Sequence, residues 1–313
     1  MAVRVLRARL RRRAVAGLRP RRVPPHAGPV QRPRPALRGA VSVASRAARE
    51  RPQRSDLTAR IIVAIPAIIF AITIVALGDI FFTLGLIGLG LVCLHELFQM
   101  FDKAHPSRLG GFIGVIALSL AAFFGDSTHV MIALVATFPV VFVLTAAQPK
   151  GGAPAISVTI LGVTWIGLGL AHAILLRDLP HGGAIIVDVL VGTFLGDTGA
   201  YLGGRQFGRR KLAPAISPNK TVEGLAIGFV TAIVATWAAG LYQDWLSGTD
   251  ALILGACVGL AAPVGDLFES YLKRDAGTKD TGTLFGAHGG ALDRLDAVLF
   301  SIVVGYYVWL ALM

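Results

Sequence analysis

From Ile61 to Met313 the chain alternates apolar segments of roughly 17–23 residues with short polar connections, and a helix of that length crosses the hydrocarbon core of a bilayer. Read as helices, the segments are 61–77, 80–98, 109–125, 128–147, 155–176, 184–203, 222–243, 251–269 and 295–313. The predicted fold class is therefore all-α: a polytopic integral membrane protein of about nine transmembrane helices, with the lipid bilayer as its constant partner. Composition agrees, since 54% hydrophobic against 15% charged residues is too apolar for an ordinary soluble domain. Cys93 and Cys257 both lie inside apolar segments, so no disulfide framework organises the chain. Gly192 with Gly196 and Gly199 with Gly203 form small-xxx-small faces, which mark close helix packing.

Basic residues orient the segments. If alternate connections share a side, one side holds Lys103, Arg108, Lys150, Arg205, Arg209, Arg210, Lys211, Lys220, Lys273, Arg274, Lys279 and Arg294, and the other only Arg177. The positive-inside rule makes the first side cytoplasmic and places the N-terminus there. The chain divides into a tail (1–56), N-terminal transmembrane helices (57–183) and a region richer in polar motifs (184–313). Residues 1–60 hold 17 of the 30 Lys and Arg residues against two acids, leaving 13 basic and 16 acidic residues after them. Such a segment cannot bury a core, and disorder is expected. It reads as a polybasic arm on anionic lipid, as an organellar transit segment or as the product of an upstream start codon. With no aromatic interleaved among its arginines, nucleic acid is not an expected partner.

The densest charge stands in the most apolar surroundings, between Gly265 and Asp296. On a helix Asp266, Glu269, Ser270 and Lys273 share one face. Asp293 and Asp296 repeat the i, i+3 spacing where the last apolar segment begins, and five glycines separate the two groups. Facing carboxylates at a membrane edge require positive charge between them. Oxygen donors without a nearby cysteine favour Mg²⁺ or Mn²⁺ over zinc and are compatible with a second cation. Glu269 either belongs to this group or pairs simply with Lys273 at i+4. His95 and Glu96, closing the second segment, read as interfacial anchors. Asp188, inside the sixth, matches no motif.

A second polar stretch, 197–224, ends one apolar segment with Asp197 and Tyr201 a helical turn apart and opens the next with Ser-Pro-x-Lys-Thr-x-Glu-Gly. Ser217 or Thr221 can cap that helix, with Pro218 in its first turn. A helix N-terminus beside Lys220 suits a phosphate. The glycine spacing of a P-loop is absent.

Residues 270–296 resemble the signature of the phosphatidate cytidylyltransferases, or CDP-diacylglycerol synthases, through Ser270, Lys273, Arg274, Lys279, Asp280, Gly282, His288, Gly289, Gly290, Asp293, Arg294 and Asp296. They depart from it at Ala291, where that family usually carries a larger apolar residue. Asp-x-x-Ala-Tyr from Asp197 and Ser-Pro-x-Lys-Thr-x-Glu-Gly from Ser217 are similar to the same family. The resemblance implies a nucleotidyltransferase of the inner membrane that converts CTP and phosphatidate into CDP-diacylglycerol and pyrophosphate at the cytoplasmic face, with residues 184–313 as the catalytic region. It implies Mg²⁺ held by Asp266 and Asp293 with help from Asp197 or Asp280. Ser217, Asn219, Lys220, Thr221 and Glu223 would bind nucleotide, and Lys273, Arg274, Lys279 and His288 would contact phosphates. A homodimer is one assembly open to such an enzyme, although no segment marks its interface.

Overall fold

The computed structural model describes residues 69–282 and 289–313; the tail, the start of the first predicted span and His288 lie outside them. Helix α1 occupies 69–77 of the described residues. It is followed by α2 (Asp79–Met100), α3 (Arg108–Phe124), α4 (Ser127–Ala146), α5 (Ala153–Asp178), α6 (Gly182–Phe207), α7 (Val222–Gly240), α8 (Gly248–Asp275) and α9 (Leu292–Leu312). Among the described residues seven helices are long and apolar enough to cross a membrane, and α3, with 17 residues, is shorter. The architecture is an all-α polytopic membrane bundle.

Helix α5 forms the centre. Of its most apolar stretch 72% is buried, against 22% for α4, so α5 meets protein on nearly every side while α4 meets lipid. Met131, Ile132, Val135, Phe138, Phe142 and Val143 form the exposed apolar face of α4, a patch that only a hydrocarbon solvent tolerates at this size. A π-helical turn at Val163–Gly167 interrupts α5 and carries Trp165 edge-on against Phe268 of α8, with ring centroids 4.9 Å apart.

Small residues set the spacing of the helices that carry the polar motifs. A Cβ on Gly196 would lie 3.1 Å from Ala232, and one on Gly203 would lie 2.8 Å from Ile227 Cβ, so α6 and α7 pack nearly backbone to backbone, as the small-xxx-small spacing predicts. Gly265 has no room for a Cβ against the Asp296 carbonyl and Ala297 Cα. That contact brings the acidic face of α8 onto the first turn of α9.

Asp188 finds its explanation at the other end of α6. It is fully buried, and the Gln243 amide nitrogen donates to both of its carboxylate oxygens at 2.9 Å. The pair ties the start of α6 to the turn after α7. Replacing Gln243 by Leu strands a buried carboxylate, so thermal stability in detergent should fall by about 1–3 kcal/mol, while turnover per folded molecule stays unchanged.

Candidate active site

The connection between α6 and α7 is where sequence and structure part. Instead of entering α7 at Pro218, the chain forms an antiparallel hairpin of β1 (Lys211–Ala213) and β2 (Ser217–Thr221), pairing Lys211 with Thr221 and Ala213 with Ser217. Pro218 and Asn219 are exposed on β2, and α7 begins only at Val222. Of the two predicted caps, Thr221 is the one used; its hydroxyl accepts the Gly224 N–H at 3.1 Å. Glu223 receives the backbone N–H groups of Arg209 at 2.9 Å and Arg210 at 3.1 Å, and thereby holds the base of the hairpin.

Two cationic side chains fasten this hairpin to α8. Arg274 donates through Nε to the Ile216 carbonyl at 3.1 Å, and Lys220 forms an ion pair with Asp266. Asp266 also accepts from Ser270 at 3.4 Å, one helical turn away as the predicted face requires. Asp197, near the end of α6, is within electrostatic reach of Asp266 and Lys220. It lines a cavity of about 20 Å³ with Gly196, Ala200, Gly228, Ala232 and Pro263, space for roughly one water molecule.

A second centre lies between α8 and α9. Lys273 Nζ bridges Glu269 Oε2 at 2.5 Å and Asp293 Oδ1 at 2.8 Å. Glu269 therefore does both things its spacing allows: it pairs with Lys273 at i+4 and stands, fully buried, inside the cluster. Asp296 faces Glu269 and Asp266 electrostatically. The other oxygen of Asp293, Oδ2, collects three donors: Thr281 N–H at 3.0 Å, Thr281 Oγ1 at 2.9 Å and Gly290 N–H at 2.7 Å. Gly289 (φ +84°) makes the turn into this knot, where a side chain would strike Asp293. Lys279 and Asp280 lie exposed in the preceding loop.

Glu96 corrects a sequence expectation. It is not an interfacial anchor: only 4% of it is exposed. From the end of α2 its Oε1 accepts the Ala291 N–H at 3.0 Å and its Oε2 the Leu292 N–H at 2.9 Å, with Thr281 Oγ1 at 3.5 Å. A carboxylate in that position caps the first turn of α9 and is favoured by the helix dipole. His95 contacts Gln99 of its own helix at 2.9 Å. The signal for Glu96 was present in sequence, because an acid within a membrane-length apolar segment is functional by default.

The clustered groups are carboxylates, ammonium groups and backbone N–H donors. Among the described residues no group of three or more His, Cys, Asp or Glu side chains is arranged to hold a metal ion. By donor chemistry the residues fit a hard cation such as Mg²⁺, being oxygen donors only. In the present arrangement Lys220 and Lys273 supply the positive charge that the acids require.

Fold and site together define a polytopic membrane protein that gathers alternating acids and bases, suited to polyanionic groups, at one end of its bundle. The chain belongs to the cytidylyltransferase family, whose model matches residues 58–312. It is 33% identical over 264 residues to a phosphatidate cytidylyltransferase of Bacillus subtilis, covering 81% of this chain and 97% of that protein. It is 31% identical over 258 residues to the phosphatidate cytidylyltransferase of Brucella suis, covering 80% and 93% respectively. An uncharacterized Escherichia coli protein, YnbB, is 38% identical over 165 residues, which span 51% of this chain and 55% of that protein.

Proposed function

We propose that this chain is a phosphatidate cytidylyltransferase working at the cytoplasmic face of the cell membrane. The observation that carries the reading is the convergence of the hairpin lysine Lys220, the α8 face from Asp266 to Lys273 and the Asp293 knot at one end of a membrane bundle, in a chain of this family. Phosphatidate keeps its acyl chains in the bilayer while its phosphate enters the cluster.

The phosphate monoester has a second pKa of about 6, so at neutral pH it is already an oxygen nucleophile and no general base is needed. Its oxygen forms a bond to the α-phosphorus of CTP as the bond from that phosphorus to the β-phosphate oxygen breaks; the electron pair departs with pyrophosphate. The difficulty is the meeting of two polyanions. Lys220, Lys273, Arg274 and Lys279 answer it by surrounding the phosphates with fixed positive charge. Ser217 and Asn219 on β2 border the nucleotide's approach, and Thr221 and Glu223 hold the hairpin that presents them. The motif assigns Mg²⁺ to Asp266, Asp293 and Asp197. To hold it, Asp266 and Asp293 would have to exchange the Lys220 and Lys273 ammonium groups that now neutralise them for the cation, which when bound would supply further charge neutralisation on the phosphates. His288 is assigned to phosphate contact from the motif.

The test is to supply purified protein in detergent with phosphatidate, Mg²⁺ and CTP labelled at the α-phosphate. The expected result is label in the lipid with release of pyrophosphate. Label remaining in soluble CDP while the lipid gains a phosphate would make the protein a CTP-dependent lipid kinase instead.

A further inference from the structure

We infer that Glu96 is the positioning residue of the two described ends of the active-site loop, Thr281–Gly282 and Gly289–Asp293, setting their register against the acids of α8. This inference rests on the nucleotidyl-transfer reading, because the loop carries that reaction's groups. Four observations converge on it. Glu96 is buried, yet both its oxygens are used, accepting the Ala291 and Leu292 N–H groups and lying near the Thr281 hydroxyl. Thr281 and Gly290, which flank those contacts, donate to Asp293, and Asp293 takes the Lys273 ammonium. Gly282 and Gly290 leave no room for a Cβ because the Glu96 carboxylate occupies it. Finally, Glu96 stands on α2, about two hundred residues away in sequence from the backbone it holds.

The consequence is a chain of fixed contacts, from Glu96 to the loop backbone, then to Asp293, then to Lys273. A buried carboxylate holding two backbone N–H groups is a strong and directional clamp. Release it and the loop can shift without unfolding the bundle, since α2 and α9 keep their apolar contacts. Gly282 and Gly290 are glycines because the Glu96 carboxylate fills the space of a Cβ, whereas Gly289 answers to Asp293 and to its positive φ.

Glu96→Gln keeps the shape but turns an NH₂ group toward one of the two backbone N–H donors. We expect a folded, membrane-inserted enzyme whose kcat falls about 100-fold while KM for CTP and phosphatidate is little changed. Without substrate, amide hydrogen exchange at Ala291 and Leu292 should accelerate. A merely structural contact would lower the amount of folded protein and leave kcat per folded molecule at the wild-type value; that result overturns the inference. Should Glu96→Gln fail to fold, Gly290→Ala presses on the same carboxylate from the loop side, and an unaltered kcat there overturns it equally. If wild-type protein moves no label into lipid, the nucleotidyl-transfer reading fails by itself. The exchange measurement then still decides the clamp, because retained protection in Glu96→Gln removes it.

Discussion

An Asp293→Asn enzyme should insert and fold in the membrane yet form CDP-diacylglycerol about 1,000-fold more slowly than wild type. The carboxylate is the point where loop and cluster meet: Oδ1 takes the Lys273 ammonium, and Oδ2 takes two backbone N–H groups and the Thr281 hydroxyl. Asparagine has one acceptor oxygen. Whichever way its amide is turned, an N–H group confronts either the ammonium or the three loop donors, and the charge that strengthened those bonds is gone. Insertion survives because α9 beyond this turn stays apolar and buried against its neighbours. The check is the labelled-CTP assay on protein quantified in the membrane fraction and by its melting profile. Wild-type turnover would remove Asp293 from the site.

What the sequence revealed followed from local rules. Apolar length marked α2 to α9, and helical periodicity placed Asp266, Glu269, Ser270 and Lys273 on one face. What it concealed depended on partners distant along the chain. Glu96 looked like the polar end of a span because its partners, Ala291 and Leu292, follow it by 195 and 196 residues. Asp188 lacked a rationale until Gln243 was seen beside it, 55 residues on. The α6–α7 connection failed differently. Ser-Pro near a Lys-Thr reads locally as a helix start, but β1 offers backbone partners to residues 217–221, and Glu223 fixes the crossing through Arg209 and Arg210. The hairpin thus overrode the cap signal of Ser217 and the helical place of Pro218, and left the other predicted cap, Thr221, to open α7 at Val222, where the apolar segment 222–243 also begins.

Lys273→Met should be the most destabilising single change in the site, and it allows structure to be separated from chemistry. The Lys273 side chain is 15% exposed, between Glu269 at 1% and Asp293 at 11%. Removing the cation leaves two nearly buried carboxylates facing each other, and breaking such a buried arrangement costs about 3–5 kcal/mol. A lower melting temperature and lost turnover are both expected, so the single variant alone cannot distinguish a collapsed site from a missing phosphate contact. Adding Glu269→Gln deletes one of the stranded charges, and the pair of substitutions measures their coupling. If Lys273 contacts phosphate in the reaction, the double variant should regain most of the lost stability while remaining inactive, because no positive group returns to meet the phosphates. Recovery of turnover together with stability would instead make Lys273 a spacer between two acids, leaving Lys220, Arg274 and Lys279 to carry the charge of the transferring phosphate.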